Sequence, residues 1–352
     1  MADKKPAGRG ADRARDSAHD RAHESAHESA HDSDDPTVEK QRALQREQDR
    51  KEPPEAKGGG DGKPGPQTGT RGQPQEIPAQ HLQKPGVEAD MQLKPRFEAP
   101  DYRGSGKLKD RVALVTGGDS GIGRAVSVLY AREGADVAIV YLASHEDAEE
   151  TKRHVEREGR KCLLIPGDVK DPAFCEQAVE KTVRTFGRLD ILVNNAAFQL
   201  HAHSLEDITD ERLKETVETN IFGYFFMARA AVKHLKEGSC IINTGSVVGL
   251  KGSGELLDYS ATKGAIHALT MSLAQSLIDK GIRVNAVAPG PVWTPLNPAD
   301  RSAEEITEFG KSTVFKRPAQ PEELSPAYVF LASPVCASFI TGIVLPVTGQ
   351  IG

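Results

Sequence analysis

Thr116-Gly117-Gly118-Asp119-Ser120-Gly121-Ile122-Gly123-Arg124-Ala125 follows directly on the apolar run Val112 to Thr116 and opens a helix-like stretch that reaches Glu133. Glycines at 117, 121 and 123 permit a tight turn, close approach of the backbone to a pyrophosphate, and close packing of helix on strand. The start of the helix presents free N–H groups and a positive dipole end to phosphate oxygens. The spacing is G-x-x-x-G-x-G rather than the more familiar G-x-G-x-x-G. Alone it describes a glycine-rich βα turn, with or without a ligand.

Outward from this turn, short apolar runs alternate with longer amphipathic stretches. Asp136 to Tyr141, Cys162 to Pro166, Ile191 to Val193, Cys240 to Asn243, Arg283 to Val287 and Ile343 to Val347 join Val112 to Thr116 as predicted strands. Glu146 to Glu158, Pro172 to Phe186, Glu211 to Leu235, Tyr259 to Lys280 and Glu322 to Leu331 read as helices between them. Repeated β-α alternation with apolar strands predicts an α/β fold: a Rossmann-type, doubly wound parallel sheet of seven strands with helices on both faces. One domain over residues 108–352 accounts for it.

The chain has 352 residues, 38% of them hydrophobic, and a formal net charge of −6. This acidic balance, without a basic patch interleaved with aromatics, argues against nucleic-acid binding. No apolar stretch reaches the ~18 residues of a membrane span. The charged start, Met1 to Gly10, lacks the apolar segment of a signal peptide. Cys162, Cys175, Cys240 and Cys336 are scattered without a C-x-x-C pair, so a cytoplasmic, reducing setting is expected.

In open α/β sheets ligands bind beyond the carboxyl ends of the strands. Asp168-Val169 follows the third predicted strand, Asn194-Asn195-Ala196-Ala197 the fourth, Ser246 the fifth and Pro289-Gly290 the sixth. Tyr259 and Lys263 are four residues apart, about one helical turn, so phenol and ammonium share a helix face. A cation beside a phenol favours phenolate and lowers its pKa, which would let the tyrosine exchange a proton with a carbonyl or alcohol. Each residue taken singly has a plainer reading. Asn220 is a satisfied helix asparagine, Ser246 a cap, and Tyr259 a half-buried packing residue. Their joint order behind a nucleotide turn is what points to chemistry.

From about Leu108 to Gly349 this ordered set closely resembles the short-chain dehydrogenase/reductase family in its single-domain form. The resemblance implies that Asn220, Ser246, Tyr259 and Lys263 are catalytic. Tyr259 would be the general acid/base, Ser246 would hydrogen-bond the substrate oxygen, and Lys263 would lower the tyrosine pKa and bind the nicotinamide ribose. Asn220 would hold a water that links Lys263 to solvent. For the cofactor it implies the turn residues Gly117, Ser120, Gly121, Ile122 and Gly123. It adds Tyr141 after the second strand, Asp168 at the adenine with Val169 beside it, Asn194 stabilising the central strands and Ala196 lining the cofactor. Pro289, Gly290, Val292 and Thr294 would lie near the nicotinamide, beside Tyr259 and Lys263. Ala197 stands where the family often has glycine. The glycine turn with a long N-terminal extension is similar to a bacterial subgroup described as general-stress or aldehyde-reducing oxidoreductases. Homotetramers are common in the family and are expected here.

The resemblance leaves NAD or NADP as cofactor. Tyr141-Leu142-Ala143-Ser144 offers no acidic residue for a ribose 2′-OH. The turn offers no basic group for a 2′-phosphate, and Asp119 would repel one, so the reading leans to NAD. Loops Phe198 to Ser204, Val247 to Asp258 and Val292 to Phe315 would form the substrate pocket. Phe198, Leu250, Leu257, Trp293 and Leu296 are its expected wall. With no evident arginine or lysine anchor, the expected substrate is a small aldehyde, ketone or alcohol.

Residues 1–79 lack sustained apolar periodicity and are expected to be disordered. His19, His23, His27 and His31 recur every four residues there. They are read as part of a low-complexity tail rather than a metal site, and no metal ligands are assigned. The alternative function is a low-turnover cofactor-binding stress or scaffold protein whose His-rich tail binds metal or a partner. Residues 80–107 carry Met91, Phe97 and Tyr102 and read as an extended arm that packs on the domain or on a neighbouring subunit.

Overall fold

The computed structural model describes residues 35–51 and 64–350. The histidine repeat and most of the expected disordered tail lie outside the described residues. In chain order the elements are α1 (Pro36–Asp49), β1 (Val112–Thr116), α2 (Gly121–Arg132), β2 (Asp136–Tyr141), α3 (His145–Arg157), β3 (Cys162–Pro166), α4 (Pro172–Phe186), β4 (Ile191–Asn194), α5 (Asp210–Val217), α6 (Gly223–Val232), β5 (Cys240–Thr244), α7 (Val248–Lys251), α8 (Leu257–Leu277), β6 (Arg283–Pro289), α9 (Ala303–Ile306), α10 (Pro321–Ala332), α11 (Pro334–Ala337) and β7 (Val344–Val347).

All seven strands form one parallel sheet in the order β3-β2-β1-β4-β5-β6-β7. The order reverses beside β1, which pairs with both β2 and β4. Side-chain alternation sends Ala113 and Val115 into one core with α2 and α10, and Leu114 into a second core with α4, α6 and α8. Because both faces are covered, β1, β5 and β6 are buried from end to end. The predicted strands therefore stand where the apolar runs placed them.

Two expectations change. The helix expected from Glu211 to Leu235 is broken by a π turn over Glu218–Phe222 that carries Asn220. The cause is the Asn220 side chain, which binds the Phe198 N–H (2.8 Å) and carbonyl (2.9 Å) and so draws the helix toward the loop after β4. The second change falls in the expected disordered tail, where α1 forms and docks. Asp35 caps it through the N–H groups of Thr37 and Val38, with Pro36 in its first turn. Its buried face is Val38, Gln41, Leu44, Gln45 and Gln48, a stripe too poor in apolar residues for hydrophobic periodicity to show.

The arm of residues 80–107 packs on the domain of its own chain. Leu82 and Met91, with Ile77 just upstream, surround the fully buried Trp293, whose Nε1 donates to the Leu93 carbonyl at 2.8 Å. Burying such side chains contributes roughly 1.5–3 kcal/mol each as an upper figure.

Candidate active site

A cleft of about 580 Å³ opens beyond the carboxyl ends of the strands, where the strand order reverses. Thr116 ends β1 with a hydroxyl that accepts from the N–H groups of Asn195 (2.9 Å) and Ala196 (3.0 Å). The Asn195 amide donates to the carbonyls of Thr116 and Gly117, both at 3.1 Å. The end of β4 thus holds the glycine turn in place. A Cβ at Gly121, where φ is +50°, would stand 2.9 Å from Thr294 Cγ2. At Gly123 a Cβ would lie 1.9 Å from the Gly117 carbonyl oxygen. Gly117, Ser120, Gly121 and Ile122 line the cleft, whereas Gly123 sits behind the turn against the Gly117 carbonyl. Gly123→Ala is therefore expected to cost about 1–3 kcal/mol or more. Dinucleotide affinity should fall at least about tenfold with it. Calorimetric titration showing wild-type affinity would contradict this.

The amino end of α2 is braced from the arm. The Gly121 N–H donates to Glu88 Oε2 at 2.7 Å, and Arg124 bonds both the other Glu88 oxygen and Asp147. Glu88, Arg124 and Asp147 are all buried, so two acids share one base. Burial pushes the Glu88 carboxyl up to about 7, against the pull of Arg124 and the Gly121 N–H. The ordinary value is 4.5, so the folded protein holds an extra proton between pH 4.5 and about 7. The stability linked to that proton is full below the window and is lost as pH rises through it. Glu88→Gln should therefore reduce the loss of stability between about pH 5 and about pH 8, by roughly 1–3 kcal/mol. Melting curves that fall in parallel for both proteins would refute this role.

At the other end of the cleft, Tyr259 and Lys263 lie one turn apart on α8, and both are buried. Lys263 Nζ donates to the Thr244 carbonyl at 2.9 Å and stands 5.3 Å from the centre of the Tyr259 ring and 5.5 Å from that of Tyr224. Ser246 follows β5; its Oγ accepts from the Val248 N–H at 3.3 Å. Burial drives the Tyr259 phenol well above its ordinary range, with Asp300 and Tyr328 adding, while a hydrogen bond from Ser246 pulls the other way. Burial also pushes Lys263 down to about 7. This reverses the direction expected for the phenol, because burial penalises the charged form of both groups.

Asn220 is fully buried and does not line the cleft. Its Oδ1 accepts from the Phe198 N–H, and its Nδ2 donates to the Phe198 carbonyl and to Thr262 Oγ1 (3.1 Å). These bonds fix the loop after β4 against α8. Asn194 joins two central strands. It is buried in β4, its Nδ2 donating to Asn243 Oδ1 at 3.0 Å, and its neighbour Asn195 reaches the cleft. Strand alternation, which sends adjacent residues to opposite faces, was the available signal.

Tyr141, Asp168, Val169, Ala196, Pro289, Gly290, Val292 and Thr294 all line the cleft with Ser246, Tyr259 and Lys263. Of the expected apolar wall only Leu296 does. Phe198 packs with Leu44 of α1, and Trp293 packs with the arm, so the N-terminal segments claim both. Leu250 is exposed, and Leu257 lies outside the cleft. Val247, Val248, Leu256 and Phe309 take their place. Arg301 was not anticipated; it lines the mouth and pairs with Glu255 at 2.9 Å. Thr37, Gln41, Pro85 and Gly86 also line the cleft from outside the β/α domain. Among the described residues no group of three or more His, Cys, Asp and Glu is placed to hold a metal, and no helix is long and apolar enough to cross a membrane.

The cleft fits a dinucleotide on its own geometry. Backbone is exposed where side chains would collide, Ser120 does not cap the amino end of α2 with its own side chain, and a buried Tyr-Lys pair stands at the far end. Residues 117–349 match the family model described as enoyl-(acyl carrier protein) reductase. General stress protein 39 of Bacillus subtilis (strain 168) is 55% identical over 277 residues, covering 78% of this chain and 96% of that protein. The chloroplastic NADPH-dependent aldehyde reductase 1 of Arabidopsis thaliana is 50% identical over 276 residues, covering 77% of this chain and 96% of that one. A crystal structure of a short chain dehydrogenase from Burkholderia cenocepacia J2315 in complex with NADP superimposes with a TM-score of 0.65 at 34% identity, covering 70% of this chain and 99% of that one.

Proposed function

From the premise that the chain belongs to the short-chain dehydrogenase/reductase family and is an NAD(P)-dependent oxidoreductase, we propose that it interconverts a small aldehyde or ketone and its alcohol, with Tyr259 as general acid/base. The observation that carries this reading is the meeting of Tyr259, Lys263 and Ser246 on a cleft whose other end is a glycine turn. Bound there, the dinucleotide supplies or accepts the hydride at the substrate carbon. A phenol held above its ordinary range keeps its proton at neutral pH and can deliver it to a carbonyl oxygen as negative charge develops. The Ser246 hydroxyl bonds the same oxygen and stabilises that charge. Lys263, poised near neutrality and anchored on Thr244, orients the phenol and offers its remaining N–H groups to the nicotinamide ribose. Asn220 is a positioning residue that holds Phe198 and Thr262.

For the cofactor, the lean to NAD does not survive. Burial, with Asp147 adding, pushes the Asp119 carboxyl up to about 6, so it opposes a 2′-phosphate less than an ordinary aspartate would. Ser144 lines the cleft at the amino end of α3 without capping it through its side chain, a neutral seat for a phosphate. Relatives whose names carry NADPH or NADP support NADPH as the preferred reductant. The aldehyde-reductase relative and the partly apolar wall support a small aldehyde.

The test is a cofactor-oxidation screen over small aldehydes and ketones, run with NADPH and with NADH. Turnover with NADPH is expected. Dinucleotide binding without turnover on any carbonyl would favour the scaffold alternative instead.

A further inference from the structure

We propose that α1 is a cofactor-retaining wall, a helix from outside the β/α domain that closes the adenosine side of the cleft through Thr37 and Gln41. The inference rests on the dinucleotide reading of that cleft. Thr37 and Gln41 are four residues apart, share one helix face, and line the cleft beside Asp168 and Val169. Thr37 Oγ1 donates to Asp168 Oδ2 at 2.6 Å, while the Lys170 N–H holds Oδ1 at 2.9 Å. The carboxylate assigned to the adenine is thereby locked in one orientation, with lone pairs left to accept from a ligand amine.

Further anchors carry the helix across the mouth. Gln41 Nε2 donates to Glu215 Oε1 (3.1 Å) and Lys40 pairs with Glu215 Oε2 (2.9 Å), beside the Lys170 ammonium already bound to that buried carboxylate. Toward the other end, Gln45 Nε2 donates to the carbonyls of Leu82 (2.7 Å) and Ala299 (3.2 Å), and its Oε1 accepts from the Lys84 N–H (2.9 Å). Leu44 packs on Phe198 and Leu200. One helix thus ties the end of β3 to the arm, to the loop after β4 and to the segment after β6.

The cleft keeps about 580 Å³ with α1 docked, so the helix encloses the space rather than filling it. Its buried face holds two apolar residues, Val38 and Leu44, and three glutamines. Such a face can leave the domain without exposing a core. A ligand enclosed by a separable wall is released at the rate the wall opens.

The experiment is stopped-flow release of NADPH from the full-length protein and two full-length variants, with thermal melts as a folding check. Leu44→Asp places a charge against Phe198 and Leu200 and should free the helix. Thr37→Val with Gln41→Ala leaves the Lys40, Leu44 and Gln45 anchors in place and removes the helix's polar groups from the cleft. Release from Leu44→Asp should be at least ~10-fold faster, with Kd weakened in proportion. Release from the double variant should be ~3-fold faster or more, and reduced nicotinamide mononucleotide should bind all three proteins within ~2-fold. Equal release rates, or tighter binding once α1 is freed, would overturn the wall. If Leu44→Asp does not fold, the double variant decides by the same criterion. A wild-type protein that binds no dinucleotide would overturn the functional reading itself, which separates the two failures.

Discussion

Tyr259→Phe is expected to lower kcat for carbonyl reduction by about 10²–10⁴-fold, the range associated with a positioned proton donor. Dinucleotide affinity should stay within about threefold of wild type, because the phenyl ring keeps its place beside Lys263 and only the hydroxyl is lost. The split distinguishes the proposed role from a packing role. Loss of packing would lower the melting temperature and weaken cofactor binding together. Loss of the proton donor leaves both and removes the chemical step. Steady-state rates beside a fluorescence titration check this, and retained turnover would remove Tyr259 from the mechanism.

Arg212→Ala should be the most damaging single change to stability outside the sheet, costing about 3–5 kcal/mol. Arg212 bonds both oxygens of Asp258, at 3.2 and 3.1 Å, and donates to the carbonyls of Leu200 and of His201 (2.8 Å). Both members of the ion pair are buried. Asp258 also accepts from Thr216 Oγ1 (2.8 Å) and from the Tyr259 N–H (3.0 Å). Truncating the arginine leaves a buried carboxylate without its cation at the residue before Tyr259. Activity should fall with stability. Combining Arg212→Met with Asp258→Leu removes both charges and should recover part of the loss, since the penalty arises from the unpaired ion. Denaturant unfolding measures it; a loss below about 1 kcal/mol for Arg212→Ala would refute the buried-pair argument.

Much of the β/α domain could be read along the chain because its signals are local. Seven apolar runs marked seven strands, and the glycine spacing before α2 marked a turn with no room for Cβ at Gly123. The π turn at Asn220 was not readable, since it depends on a bond to Phe198, 22 residues away. Asn195 reaches the cleft while Asn194 bonds Asn243, because side-chain alternation at the end of β4 turns neighbours to opposite sides. The substrate wall was misread for a related reason: Phe198 and Trp293 are apolar and suitably placed in sequence, yet α1 and the arm bury them.

By itself the amino-acid sequence determined the parallel α/β architecture, the glycine turn and the order Asn220, Ser246, Tyr259, Lys263. These follow from spacings of one helical turn or one strand repeat, which the backbone imposes locally. The tertiary structure alone decided which residues enclose the cleft and in which direction the proton affinities of its groups shift. Thr37 meets Asp168 across 131 residues of chain, and burial raises the proton affinity of Tyr259 although Lys263 lies one turn away. Desolvation and enclosure sum over all neighbours in space, and no local window of sequence contains them.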